Sequence, residues 1–323
     1  MAVQMRPLGT SGISVAPVAL GGNVFGWTAD EETSFKLLDA FVDAGGNMID
    51  TADVYSAWAP GKQGGESEII IGNWLRRDPA KRDRVVIATK VGFLGGEMVD
   101  GEYVAALDPK SIRDGCEASL RRLGVDAIDL YYHHKDNPAV PLAESLGAMD
   151  ELVRTGKVRA IGLSQYSGPR IDAAMAVAKA EGLTPPCALQ TWYNLVEREK
   201  LEGELRDAAV RNGLGIIPFY GLANGFLAGK YRSADDLAKS PRGERSAQYL
   251  DGRGLRVLAA LDRISAETGA ALATIALAWT SAQPGIATTL ASATRLDQLD
   301  ELVAALSFQL TAEQLALLTA ASA

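Results

Sequence analysis

Residues 127–164 read AIDLYYHHKDNPAVPLAESLGAMDELVRTGKVRAIGLS. The first eight residues form an apolar run ending in two histidines. Residues 141–155 carry an amphipathic stretch, and 158–164 are again a short apolar run with a polar end. Strand, helix and strand at this spacing imply a βαβ unit with parallel strands. The rhythm repeats in both directions. Further strand runs are PVALGG (17–22), NMID (47–50), VVIATK (85–90), CALQ (187–190), GIIPF (215–219) and GIATT (285–289). Helices are expected at 31–44, 66–77, 109–123, 141–155, 170–181, 200–212, 254–267 and 294–306. Asp30 stands as N-cap of the first, with Gly45 behind it; Asp108 then Pro109 open the third, and Gly124 ends it.

Eight such units favour a closed (β/α)8 barrel over a doubly wound sheet, and no GxGxxG follows the first strand. The expected architecture is α/β: a single TIM barrel over residues 1–323, opened by a short Gly-punctuated hairpin and without a linker. Residues 221–253 are too long for an ordinary connection after the seventh strand. A long loop there lies on the C-terminal face, where barrel active sites sit.

Composition narrows the partners. Among 323 residues, 47% are hydrophobic and 22% charged, and the net charge is −8. That is globular, and its acidity disfavours nucleic acid and anionic membrane. Cys116 and Cys187 have no metal-type spacing and read as buried thiols of a reducing compartment. The start has no basic segment followed by an apolar core, and the apolar stretch 269–279 is short of the ~20 residues of a membrane span, so a soluble cytoplasmic protein is expected. No metal site and no definite oligomeric state are expected.

Polar side chains gather at strand ends. Asp50 closes the second strand, with Tyr55 five residues on; Lys90 closes the third and His134 the fourth. In a barrel these ends surround one mouth. An ammonium beside a phenol favours the phenolate, a carboxylate holds the ammonium charged, and an imidazole orients a carbonyl oxygen. Each residue alone also fits a helix cap, a loop aromatic or a solvated strand end. Alternation places Leu130, Tyr132 and His134 on one face and turns His133 toward the helices.

The motifs GGNMIDTADVYS (45–56), VVIATKVG (85–92), DAIDLYYHH (126–134), IGLSQY (161–166) and QTWYNLVER (190–198), in this order, resemble the landmarks of aldo-keto reductases. LGTSGISVAPVALGGNVFG (8–26) and GFLAGKY (225–231) extend the likeness over nearly the whole chain. The resemblance implies a nicotinamide cofactor bound without a Rossmann fold, and carbonyl–alcohol interconversion. It assigns the catalytic set Asp50, Tyr55, Lys90 and His134, with Tyr55 as general acid and Lys90, paired with Asp50, depressing its pKa. Such catalysis contributes roughly 10²–10⁴-fold.

For the cofactor, the resemblance implies that Ser164, Gln165 (in place of Asn) and Gln190 hold the carboxamide. Phe219 stacks on the nicotinamide. Tyr220 (with Gly221 in place of Ser-Pro), Leu222 and Lys230 close over the diphosphate. Ser292, Thr294, Gln298 and Glu301 match the adenosine-phosphate site at a helix N-terminus. Arg295 either reads a 2′-phosphate or is a solvated helix residue; NADP is expected, with NAD possible. Asn23, Val24, Phe25, Trp27, Trp58 and Tyr193 are candidate walls of a pocket for a small carbonyl or alcohol, a sugar among them. Relatives of potassium-channel β-subunits share this pattern, so a slow-turnover redox-sensing subunit is the alternative. A Schiff-base role for Lys90 is opposed by its pairing with Asp50.

Overall fold

A computed structural model describes residues 3–239 and 243–323. A hairpin of β1 (Arg6–Pro7) and β2 (Ser14–Val15) opens the chain. There follow β3 (Val18–Gly21), α1 (Glu31–Asp43), β4 (Met48–Asp50), α2 (Glu66–Arg77) and β5 (Val86–Val91). After a second hairpin, β6 (Glu97–Val99) with β7 (Glu102–Val104), come α3 (Pro109–Leu123), β8 (Ile128–His133), α4 (Leu142–Arg154) and β9 (Val158–Ser164). Next are α5 (Gly168–Glu181), β10 (Ala188–Trp192), α6 (Glu204–Arg211) and β11 (Gly215–Phe219). The chain continues through α7 (Gly243–Ser246), α8 (Gly252–Thr268), α9 (Leu272–Ser281), β12 (Thr289–Ala291), α10 (Leu296–Ala304) and α11 (Ala312–Ala321).

Eight strands form one parallel sheet in the order β11-β10-β9-β8-β5-β4-β3-β12. The ring is nearly closed by a single bridge, where Ile216 N–H donates to Gly285 O and Ala287 N–H to Ile216 O, both at 2.9 Å. The expected strand 285–289 is therefore corrected. Residues 285–288 only touch β11, and the ladder with β3 begins at Thr289.

The two-residue alternation of a strand builds two cores. Ala19, Met48, Val86, Ala88, Leu130, Tyr132, Ala160, Ala188, Ile217 and Leu290 point inward and fill the barrel. Ile49, Ile87, Tyr131, Ile161, Leu189 and Ile216 point outward against the helices. The first hairpin plugs the N-terminal end with Leu8 and Val15. Its turn needs glycine: Gly9 has φ +52°, and a Cβ there would lie 2.1 Å from Cys187 O.

The helices expected at 66–77 and 109–123 match α2 and α3, and the capping signals hold except that the C-cap of α1 is Ala44, with Gly45 one residue beyond it. Asp30 accepts from Thr33 N–H, Asp108 accepts from Lys110 and Ser111, and Gly124 is the left-handed C-cap of α3. Residues 221–253 are less irregular than expected, with 3-10 turns at 223–228, 234–239 and 247–249 around α7; positions 240–242 lie outside the described residues. Sequence periodicity misses α9 because it is apolar on every side, buried from Ala273 to Ser281. It also misses the β6–β7 hairpin, although Asp100-Gly101, both at positive φ, is a recognised hairpin turn pair.

Candidate active site

The inward series of six of the strands ends in a polar or aromatic side chain at the C-terminal mouth. Met48 is followed by Asp50, Ala88 by Lys90, Tyr132 by His134, Ala188 by Gln190 and Ile217 by Phe219; Ser164 ends β9. Barrel geometry thereby converts positions far apart in sequence into one constellation.

Lys90 is fully buried, and its Nζ donates to three oxygens: Asp50 Oδ1 at 2.5 Å, Thr51 O at 2.6 Å and Tyr55 Oη at 3.0 Å. Three acceptors match the three protons of an ammonium. Burial pushes Lys90 below its usual value while Asp50 opposes the shift. The Tyr55 hydroxyl also lies 3.3 Å from Asp50 Oδ1, to which it donates. Burial, reinforced by the Asp50 charge, holds this phenol well above its ordinary range. That corrects the expected net depression by Lys90: the site keeps Tyr55 protonated. The ammonium at 3.0 Å instead favours the phenolate at the moment a proton leaves.

His134 follows the end of β8, with its ring centroid 6.1 Å from that of Tyr55. Burial first, and Lys90 second, keep its pKa well below the usual imidazole value, so the ring is neutral at neutral pH. Its Nδ1 is buried without a hydrogen-bond partner among the described residues. His133 faces the other way, as alternation required, and pairs through Nδ1 with Tyr166 Oη at 2.9 Å.

The neighbouring strand ends fit an elongated polar ligand. Ser164 is buried, and its Oγ lacks a partner among the described residues, an orphan that an amide group would satisfy. Gln165, exposed and at φ +57°, donates through Nε2 to His134 O at 3.1 Å. Gln190 is turned to the Asp50–Lys90–Tyr55 cluster, its Nε2 donating to Asp50 Oδ2 at 2.8 Å. Phe219 stands half-buried between Trp192 and Tyr220, with centroids 6.1 and 5.2 Å away. Tyr220 and Lys230 are exposed at the rim, and Leu222 packs against the outer core. Lys230 acts electrostatically on half-buried Glu301.

At the start of α10, Thr294 N–H and Oγ1 both meet Gln298 Oε1, at 3.0 and 3.1 Å. Ser292 Oγ donates to Asn23 Oδ1 at 2.6 Å. Arg295 is exposed and forms a two-pronged pair with Asp297 at 3.0 and 2.8 Å.

Among the candidate wall residues, Trp27 and Trp58 meet edge to face at 5.7 Å, and Trp58 lies 5.9 Å from Tyr55. Asn23 is half-buried beside Ser292. Phe25, Val24 and Tyr193 are corrected: all three are buried in the outer core, and Tyr193 Oη donates to Glu202 at 2.7 Å. The step from β3 into its loop turns Phe25 away from the mouth, where its carbonyl accepts from Ser56 Oγ. Sequence reading missed Phe93, 4.3 Å from the His134 ring, and Tyr103, stacked on Phe93 at 4.7 Å. The Asp100-Gly101 turn is the signal that would have placed Tyr103 there.

Among the described residues no cluster of His, Cys, Asp and Glu could hold a metal, and no helix is long and apolar enough to cross a membrane. Residues 17–323 match the model of the Aldo/keto reductase family. The chain is 34% identical over 314 residues to "Uncharacterized oxidoreductase YrpG" of Bacillus subtilis (strain 168), covering 96% of this chain and 93% of the relative. It is 33% identical over 310 residues to "Probable voltage-gated potassium channel subunit beta" of Oryza sativa subsp. japonica, covering 94% and 91%. Against "Aldo-keto reductase str7" of Strobilurus tenacellus it is 32% identical over 314 residues, covering 96% and 86%.

Proposed function

The chain belongs to the aldo/keto reductase family, a family of oxidoreductases, and from that premise we propose that it reduces a small aldehyde or ketone to the alcohol with NADPH in preference to NADH. The observation that carries this reading is the contact of Lys90 Nζ with Tyr55 Oη at 3.0 Å, backed by Asp50 at 2.5 Å. The reduced nicotinamide, when bound, supplies the hydride. Ser164, Gln165 and Gln190 hold its carboxamide and Phe219 its ring. Tyr220, Leu222 and Lys230 flank the diphosphate, and Ser292, Thr294, Gln298 and Glu301, with Arg295, receive the adenosine phosphate.

This chain's own residues then manage the proton. Neutral His134 orients the carbonyl oxygen toward Tyr55, and the Tyr55 hydroxyl gives its proton to that oxygen. Lys90 neutralises the phenolate left behind, while Asp50 and Thr51 O keep the ammonium in place. Trp27, Trp58 and Asn23 form the wall against which the substrate rests. One barrel domain over residues 1–323 carries the whole site.

The test is Tyr55→Phe, assayed through nicotinamide absorbance across a panel of aldehydes, ketones and sugars. Reduction should fall by roughly 10²–10⁴-fold with cofactor affinity nearly intact. Near wild-type turnover in the variant removes Tyr55 from the role. The likeness to the Oryza protein, named as a channel subunit, supports a second reading as a regulatory subunit. Tight cofactor binding by the wild type with negligible turnover on the whole panel would favour it.

A further inference from the structure

Five charged side chains meet behind the mouth. Asp50, Asp53 and Glu68 are all buried, and all three act electrostatically on Lys90. The second cation is Arg122 of α3, whose Nε donates to Glu68 Oε2 at 2.6 Å. With every group ionised, this cluster carries three negative charges against two positive ones. A surplus charge away from water is costly, so one carboxyl takes a proton.

Geometry identifies which one. Asp50 is held by Lys90 and by Gln190 Nε2. Glu68 is held by Arg122 and by Thr89 Oγ1, the latter at 2.6 Å. Asp53 is 2% exposed, and among the described residues it forms no ion pair and its Oδ1 has no hydrogen-bond partner. It sits two residues before Tyr55, and its own N–H reaches Lys90 O at 3.4 Å. It also lines a cavity of about 260 Å³ with Ser111, Asp114 and Arg122, a path by which a proton can exchange with solvent.

We propose that Asp53 is a positioning residue for the reduction, a third buried carboxyl whose protonation sets the field on the Lys90–Tyr55 pair. The kinetic part of this proposal rests on the reductase reading; the protonation part does not. The groups facing Asp53 are Glu68 of α2, Arg122 and Asp114 of α3, Lys90 of β5, Tyr103 of β7, Tyr131 of β8 and Tyr55 of its own loop. Burial, then Glu68, raise the Asp53 carboxyl to about 7, against the opposing pull of Arg122 and of the Val54 and Gly92 amides. When Asp53 loses its proton, its charge raises Tyr55 further and opposes the phenolate that must form. Reduction should therefore slow as pH rises through neutrality.

Two measurements on the full-length protein decide the matter. Infrared titration of the wild type should show a protonated carboxyl band that disappears with a midpoint near pH 7 and is absent from Asp53→Asn. A wild type without such a band overturns the proposal, and this arm needs neither a folded variant nor any turnover. In the second arm, kcat/KM for reduction by wild type should fall roughly tenfold from about pH 6 to about pH 9. Asp53→Asn, which mimics the neutral acid, should lose that inflection while keeping the activity of the low-pH plateau, and Asp114→Asn should retain it. The same inflection in Asp53→Asn also overturns the proposal. A chain that reduces nothing in the panel but shows the band keeps the buried acid and refutes the reductase reading instead.

Discussion

At the N-terminal end of the barrel, Asp129 of β8 is fully buried and accepts from Ile87 N–H, Arg82 and Arg159, each at 2.8 Å. At the mouth, Asp50 of β4 is just as buried and accepts from Lys90 and Gln190. Both are aspartates in strands bound to cations, yet only the second cluster contains a group able to react. Around Asp129 every member is a permanent donor, and the arrangement ties β5, β8 and β9 together. Around Asp50 the third member is a phenol that can lose its proton, with the neutral imidazole of His134 beside it. A buried ion pair can take part in proton transfer only when one of its partners can change charge.

The comparison is broken most sharply at the mouth, where Tyr55→Phe should remove roughly 10²–10⁴-fold of reduction without unfolding the chain. The next effect in size concerns His133, buried and held by burial at about 4. An unfolded imidazole titrates near ~6.5. Between these values the unfolded chain binds more protons, so this stability is complete above about pH 6.5 and is lost as pH falls toward about 4. The loss amounts to about 3 kcal/mol. Thermal unfolding against pH should show it, and His133→Gln should flatten that part of the curve; an unchanged curve would mean that another group governs the acid limb.

At the opposite end, Asp129→Asn should cost about 1–3 kcal/mol in denaturant unfolding and leave kcat unaltered, because the lost bonds lie far from the mouth. A large drop in kcat at unchanged stability would erase the contrast drawn above. The smallest effect is expected from Arg295→Ala. Its guanidinium already pairs with Asp297, so the ratio of NADPH to NADH affinity should fall only several-fold. A constant ratio would make Arg295 a solvated residue at the start of α10.

Much of this was legible in the linear order of residues. Short apolar runs such as VRAIGLS and GIIPF match β9 and β11 residue for residue, and the capping residues Asp30 and Asp108 marked the starts of α1 and α3. Alternation within AIDLYYHH separated His134 from His133. What was missed has particular causes. The all-apolar α9 has no polar face to show a period, and β12 starts later than its apolar run because residues 285–288 are used to close the ring. Phe25 and Tyr193 carry the aromatic character of a pocket wall, but nothing local tells which way a loop turns them.

Residue type and spacing alone determined that an acid, an amine and an imidazole stand at the ends of neighbouring strands, with a phenol in the loop behind the first, because strand periodicity is a local property of the backbone. Only the tertiary structure decided that Lys90 spends its third proton on Tyr55, that Tyr55 is held protonated, and that Asp53 forms no ion pair among the described residues. Those outcomes depend on how much water each group loses and which charges surround it from other strands and helices, and both quantities exist only once the barrel has closed.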